Sequence, residues 1–229
     1  MTYTRVIIPA FNEEGSIAKV IHDIPSHISE VIVVDNQSTD ETFKQAESAG
    51  ATVLYEGKMG YGHACLKGLS YLKELREPTD IVVFLDGDYS DYPEEMDKIM
   101  APIIQDDIDL VIGARVKSKR EPGSMTFPQI FGNWLATTLM RLFFNSGFTD
   151  LGPFRAIKYK KLLALKMEDK TYGWTVEMQL KALKQKLTYT EVDINYRNRI
   201  GESKVSGTVK GSVMAGVKIL GWIFKYSFK

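Results

Sequence analysis

Five short apolar runs, residues 5–9, 30–35, 51–55, 80–86 and 109–114, alternate with four amphipathic stretches, 16–24, 39–49, 62–75 and 94–104, and this alternation constrains the fold more than any other feature. The runs are rich in valine and isoleucine and bounded by Asp, Gly or Pro, as buried strands are. The stretches between them have the spacing of helices packed on a sheet. Strand-helix alternation without long linkers predicts an α/β fold with a mostly parallel central sheet covered on both faces. Such sheets bind their ligands beyond the carboxyl ends of the strands. A chain of 229 residues suits one such domain.

Charge narrows the partners only locally. The 29 basic residues match the 29 acidic ones, so bulk charge offers nothing to nucleic acid, and no nucleic-acid partner is expected. The single cysteine, Cys65, forms no internal disulfide and fits a reduced compartment. The first residues lead straight into Arg5-Val-Ile-Ile-Pro9 with no export-like segment, so a cytoplasmic protein is expected. The histidines, His22, His27 and His63, lack metal-ligand spacing and are expected at the surface.

Three strand ends carry polar clusters that the parallel sheet would bring to one rim: Pro9-Ala-Phe-Asn-Glu13, Asp35-Asn-Gln-Ser-Thr-Asp40 and Asp86-Gly-Asp88. Each has an ordinary explanation. Asp-Gly-Asp is good turn sequence, Asn12 or Ser16 suits a helix cap, and capping accounts for Thr39 and Asp40. Capping does not account for acidic residues at all three ends, which repel one another unless a cation or hydrogen-bond donors balance them. A hard divalent cation takes oxygen ligands of this kind. Asp91, before Tyr92 and Pro93, reads as a surface turn residue, with a place behind the metal-binding carboxylates as the alternative.

These motifs, followed by Asp109-Leu-Val-Ile-Gly-Ala-Arg115, resemble in order those of family 2 glycosyltransferases with the GT-A (Rossmann-like) fold. Asp150-Leu-Gly-Pro-Phe-Arg155 and Arg199-Ile-Gly-Glu-Ser-Lys204 resemble the branch containing dolichyl-phosphate mannosyltransferase and other polyprenyl-phosphate sugar transferases. The resemblance implies a glycosyltransferase domain over residues 1–207, with a nucleotide-sugar half at 1–115 and an acceptor half at 116–207. It implies a hexosyltransferase using Mg2+ or Mn2+ and a nucleotide diphosphate-sugar donor. By the same resemblance, Pro9, Phe11 and Glu13 form the first nucleotide loop, and Val34, Asp35 and Asn36 the wall beside the base. Leu85, Asp86, Gly87 and Asp88 form the donor and metal segment, with Asp88 the first choice as direct ligand and Asp86 sharing the ion or holding the ribose. Asn36 stands where the family has a second acid, which leaves guanine and uracil both open. Arg115 matches a phosphate-facing arginine and Lys204 a lysine of the closing loop. The family arginine six residues before that lysine falls on Asn198, flanked here by Arg197 and by Arg199, which is taken with Arg115 and Lys204 as a phosphate-binding candidate.

The acceptor decides whether a base is needed. A sugar hydroxyl must lose a proton during attack, for which Asp150 and Glu177 are the candidates. A lipid phosphate is already ionised at neutral pH and needs cations instead, which Arg115, Lys117, Lys119, Arg120, Arg155, Arg197, Arg199 and Lys204 supply. Residues 208–229 read as a C-terminal amphipathic helix, with Val213, Val217, Leu220 and Phe224 on one face and lysines on another. It fits a helix on a membrane surface, and equally one docked on its own domain or on a partner protein. Three functions are therefore in play: an inverting transferase acting on polyprenyl phosphate, a transferase acting on a glycan or lipid hydroxyl with Asp150 as base, and a catalytically silent nucleotide-binding partner protein.

Overall fold

The Val- and Ile-rich runs form strands where the alternation predicts them: β1 (Thr4–Ala10), β2 (Glu30–Asp35), β3 (Thr52–Tyr55), β4 (Ile81–Phe84) and β5 (Leu110–Ala114). Between them lie α1 (Ile17–Asp23), α2 (Thr42–Ser48), α3 (Tyr61–Glu74) and α4 (Met96–Gln105). The computed structural model describes residues 2–201 and 209–227. Its second half holds α5 (Phe127–Phe144), β6 (Arg155–Lys158), α6 (Tyr159–Leu165), α7 (Trp174–Lys184), β7 (Tyr189–Asp193) and α8 (Val209–Ser227). β4 stops at Phe84, short of the expected end at Asp86, so both carboxylates stand clear of the ladder.

The seven strands form one sheet in the order β3-β2-β1-β4-β6-β5-β7. All neighbours are parallel except β6, which runs antiparallel to β4 and β5. That reversal matters for function, because the start of β6, not its end, reaches the rim where β1, β2, β4 and β5 finish. Arg155 pairs there with Phe84 and Ile112, carrying the preceding loop with Asp150 to the same edge. β1 to β5 come from residues before Arg115, and β6 and β7 from after it.

Alternation along each strand builds two cores. Val6 and Ile8 of β1, with Val83 and Leu85, pack on α1 and α4, while Ile7, Val82 and Phe84 face α3, α5, α7 and α8. α5 starts with a capping box between Thr126 and Gln129, has Pro128 in its first turn, and ends at Asn145 in the left-handed conformation. α8 buries Trp222 and Ile223 against the domain, and the Trp222 indole N–H donates to Asp169 Oδ2 at 2.6 Å. Of the readings of this helix, docking on its own domain is the one observed. Trp222 and Ile223 hold it to its own domain, and the Val213, Val217 and Phe224 side stays exposed.

Candidate active site

The three strand-end loops converge at one rim and are laced together. Asn12 N–H donates to Ser38 Oγ at 2.9 Å, Thr39 N–H to Asn12 Oδ1 at 2.8 Å, and Glu13 N–H to Thr42 Oγ1 at 2.7 Å. Asn12 therefore ties two loops rather than capping α1. Asp40 accepts from Thr42 N–H at 3.0 Å in a turn just ahead of α2, while the N-cap position falls on Glu41 and carries no side-chain cap, so the capping expected of Thr39 and Asp40 takes this turn form instead. Each loop also holds a non-glycine residue at positive φ: Asn12 at 54°, Gln37 at 68° and Tyr89 at 64°. A bulky side chain is rarely found there, and such conformations persist only where the surroundings enforce them. For Tyr89 the enforcement is visible: its hydroxyl donates to Asp23 at 2.6 Å, and the Arg197 guanidinium stacks 3.3 Å over its ring.

Asp86 and Asp88 sit at the centre of this rim. Burial raises the pKa of Asp86 to about 6, and the neighbouring charge of Asp88 adds to the rise. The Tyr61 hydroxyl, donating to Asp86 Oδ1 at 3.0 Å, pulls the other way. Asp88 Oδ1 accepts from Ser90 N–H at 2.9 Å, and Oδ2 faces Arg199 Nη1 at 3.1 Å. Among the described residues no cluster of three or more His, Cys, Asp or Glu is arranged for a metal. Two carboxylates are nonetheless a fitting protein share for Mg2+ or Mn2+, because such ions are commonly held by one or two carboxylates together with substrate phosphates. A cation would also relieve the repulsion that raises Asp86.

On the nucleotide side, Val34 and Leu85 are fully buried, so they offer a ligand only backbone. Gly87 is buried, and a Cβ there would meet only ordinary contacts, the nearest being Ile17 Cδ1 at 3.4 Å. Asp35 is buried with Oδ1 lacking a hydrogen-bond partner, an acceptor left over for a ligand donor. Asn36 does not serve as the reader of the base. Its side-chain N–H groups donate to Glu56 O at 3.1 Å and Lys58 O at 2.8 Å, and its Oδ1 accepts from Gly60 N–H at 2.7 Å. The amide is needed there to shape residues 56–60. Glu13 is bridged to Arg199 at 3.1 Å, so Arg199 joins the first nucleotide loop to Asp88.

On the acceptor side the structure reassigns several residues. Asp150 is engaged by Arg115 on both oxygens: Nε at 3.0 Å and the backbone N–H at 2.7 Å donate to Oδ2, and Nη2 donates to Oδ1 at 2.6 Å. Burial alone would raise its pKa, but the charge and hydrogen bonds of Arg115 outweigh that and lower it. A carboxylate so stabilised is a poor base, and Asp150 positions Arg115 instead. Glu177, the other base candidate, is fully buried and accepts the N–H groups of Glu168 and Asp169, with Lys181 at 2.7 Å. Arg155 is no phosphate clamp. It is 0% exposed and donates to the carbonyls of Leu151, Gly152 and Thr175, and burial lowers its pKa to about 10. Arg197 stacks on Tyr89 and Tyr92 and donates to the Tyr89 and Asp91 carbonyls. Lys204 lies outside the described residues.

Asp91 overturns its expected place at the surface. It is 2% exposed, both carboxylate oxygens lack partners, and burial with the charge of Asp86 pushes its pKa well up. The residues that sequence reasoning missed come from α5. A cavity of about 310 Å3 opens beside Arg115, and Arg120, Ile130, Asn133, Trp134 and Arg141 line it. Arg115 stands between cavity and carboxylates, its charge reaching both Asp86 and Asp91. Nothing in the sequence marks Ile130, Asn133, Trp134 and Arg141, because they belong to an apolar helix without a polar motif, whereas Arg120 lies ahead of that helix among the basic residues already singled out.

A model described as glycosyl transferase family 2 matches residues 5–165. The chain belongs to that family. It is a glycosyltransferase, and its sheet of seven strands flanked by helices is the GT-A architecture that the resemblance implied. An uncharacterized glycosyltransferase of Mycobacterium bovis is 33% identical over 213 residues, covering 92% of this chain and 93% of the relative. A UDP-N-acetylglucosamine–dolichyl-phosphate N-acetylglucosaminyltransferase of Methanococcus voltae is 30% identical, covering 82% and 83%. Among solved structures, glucosyl-3-phosphoglycerate synthase of Mycobacterium tuberculosis, crystallised with Mn2+, UDP and glucosyl-3-phosphoglycerate, superposes with a TM-score of 0.77 at 20% identity. It covers 99% of this chain and 80% of the synthase.

Proposed function

We propose that this family 2 glycosyltransferase moves a hexose from a UDP-sugar to a polyprenyl phosphate, with inversion, using Mg2+ or Mn2+ held by Asp86 and Asp88. The observation that carries the acceptor is the cavity beside Arg115. It presents three arginines, Arg115, Arg120 and Arg141, together with Ile130 and Trp134, a lining for an anion attached to an apolar chain. The Methanococcus relative, named for a UDP-sugar and dolichyl phosphate, supports the same pairing of donor and acceptor.

Asp86 and Asp88 would hold the divalent cation, which when bound would supply the positive charge that offsets the negative charge developing on the departing diphosphate. The chain's own residues do the rest. Asp35 accepts from the nucleotide, and Glu13 and Asp88 hold Arg199 at the rim near the diphosphate. Arg115, locked in orientation by Asp150, holds the acceptor phosphate with Arg120 and Arg141. A phosphate oxygen attacks the anomeric carbon as the bond from that carbon to the UDP oxygen breaks, and the electron pair leaves with UDP. No proton has to be removed, because a phosphate monoester is largely ionised at pH 7. This agrees with a site whose carboxylates are bound or buried: Asp150 and Glu177 are gripped, and Asp91 is sealed from solvent. The test is an acceptor panel of polyprenyl phosphate, free polyprenol and unphosphorylated glycans, with UDP-glucose and UDP-N-acetylglucosamine as donors. Sugar is expected on the phosphate alone; transfer to polyprenol or glycan at a comparable rate rules the reading out.

The raised pKa of Asp86 adds a pH dependence. The cation binds the carboxylate form, so affinity is full above about pH 6 and falls as Asp86 takes up its proton below that value. Titrating Mn2+ with UDP by calorimetry from pH 5 to 8 is expected to show a loss approaching about tenfold per unit below pH 6. Tyr61→Phe removes a hydrogen bond that favours the charged form, so it moves the onset to higher pH. A flat profile contradicts the assignment.

A further inference from the structure

We infer that the exposed apolar faces of α5 and α8 together form a docking surface for an anionic lipid bilayer, with α5 rather than the C-terminal helix as its principal element. On α5, Phe127 is 78% exposed, Trp134 58% and Leu142 73%, and Phe131 lies in the same stripe, with successive spacings of four, three and eight residues along one helix side. Ala136, Thr137 and Met140 face the domain instead. On α8, Val213, Met214 and Val217 are exposed. The two stripes join where Phe143 and Phe224 meet, ring centroids 6.0 Å apart, both rings still open to solvent.

Three observations select a membrane as the occupant. Neither helix contains an aspartate or glutamate in a chain that has 29 of them, and Arg120 and Arg141 beside the stripe form no ion pair among the described residues. This favours an anionic surface over a second copy of a chain of zero net charge. The exposed side chains are mainly Phe and Trp, which partition into the interface between headgroups and acyl chains. No helix among the described residues is long and apolar enough to cross a membrane, so the contact lies along the surface. The surface is continuous with the proposed acceptor cavity, since Ile130 and Trp134 line that cavity from the same helix. A lipid phosphate in the leaflet would thus meet Arg141 and Arg115 without leaving its bilayer. The orientation rests on the proposed function; the docking surface itself does not.

The chain carries its own reporter. Of its three tryptophans, Trp174 and Trp222 are buried and Trp134 is exposed. The full chain is mixed with phosphatidylcholine vesicles containing phosphatidylglycerol and no polyprenyl phosphate, and followed by co-sedimentation and by Trp134 emission with brominated-lipid quenching. Binding with a blue shift and quenching is expected. Phe127→Gln/Phe131→Gln, which keeps Trp134, is expected to weaken binding about tenfold or more while leaving the UDP-induced thermal shift intact. Failure of the wild-type chain to bind these vesicles overturns the proposal, whether it is monomeric or a dimer by light scattering. So does unchanged binding by the double variant. Because neither donor nor acceptor is present, a failed acceptor panel leaves this result untouched.

Discussion

Replacing Asp88 by alanine is expected to lower sugar transfer by about three orders of magnitude or more, with the fold retained. The loss has an electrostatic origin. Departure of the diphosphate leaves negative charge, and a bound cation stabilises that charge by several kcal/mol; each ~1.4 kcal/mol is a factor of ten in rate. Asp86 alone offers a single carboxylate, a weaker anchor than the pair. Asp88 also accepts from Ser90 and faces Arg199, so the substitution loosens a turn and leaves Arg199 with Glu13 as its remaining carboxylate partner, effects of about 1–2 kcal/mol. Circular dichroism checks the fold, and turnover of UDP-sugar with Mn2+ checks the chemistry. A variant that keeps wild-type turnover removes Asp88 from the metal site.

Arg115→Met is expected to destabilise the domain by about 3–5 kcal/mol, because it strands the buried carboxylate of Asp150 without its counter-charge. For a chain of this size that is a fall in Tm of roughly 10 °C. The wild-type pair makes two side-chain hydrogen bonds, at 3.0 and 2.6 Å, and only Gly and Pro separate the Asp150-Leu151 peptide from Phe154 at the edge of the sheet. Adding Asp150→Leu to Arg115→Met should restore much of the stability, since removing both partners leaves neither member of the pair buried without the other, while acceptor use stays lost. Thermal scans of the wild type, the single and the double variant decide it. A single variant as stable as the wild type means that the pair is solvated. Full transfer by the double variant means that Arg115 does not hold the acceptor.

The nucleotide half was legible because its strands are buried on both faces. Such strands read as unbroken apolar runs, and the acidic residues that follow them, Asp35, Asp86 and Asp88, stand out by contrast. β6 and β7 gave no such signal: β6 is only Arg-Ala-Ile-Lys, and β7 carries polar residues at three of its five positions. α5 was hidden for the opposite reason, being apolar around most of its circumference and so lacking a polar face to set its period. Residue type also could not separate a ligand group from a structural lock. Asn36, Asp150, Glu177 and Arg155 had the right chemistry for base reading, catalysis or phosphate binding, but distant segments supply each with partners: residues 56–60 for Asn36, Arg115 for Asp150, Lys181 and the 168–169 backbone for Glu177, three carbonyls for Arg155. Asp91 erred the other way, since a turn-rich neighbourhood gave no hint that Tyr196 would bridge to it and bury it.

The measurement that tests the central claim most directly is the phosphorus spectrum of the product. The enzyme is incubated with a UDP-hexose, Mn2+ and a short-chain polyprenyl phosphate, and the lipid fraction is examined by 31P NMR. Attack by the acceptor phosphate on the anomeric carbon makes the lipid phosphorus a diester, and its resonance is expected to move from the monoester to the diester region, split by coupling to the anomeric proton. A sugar-bearing product whose phosphorus remains a monoester would place the new bond on a hydroxyl and contradict the account.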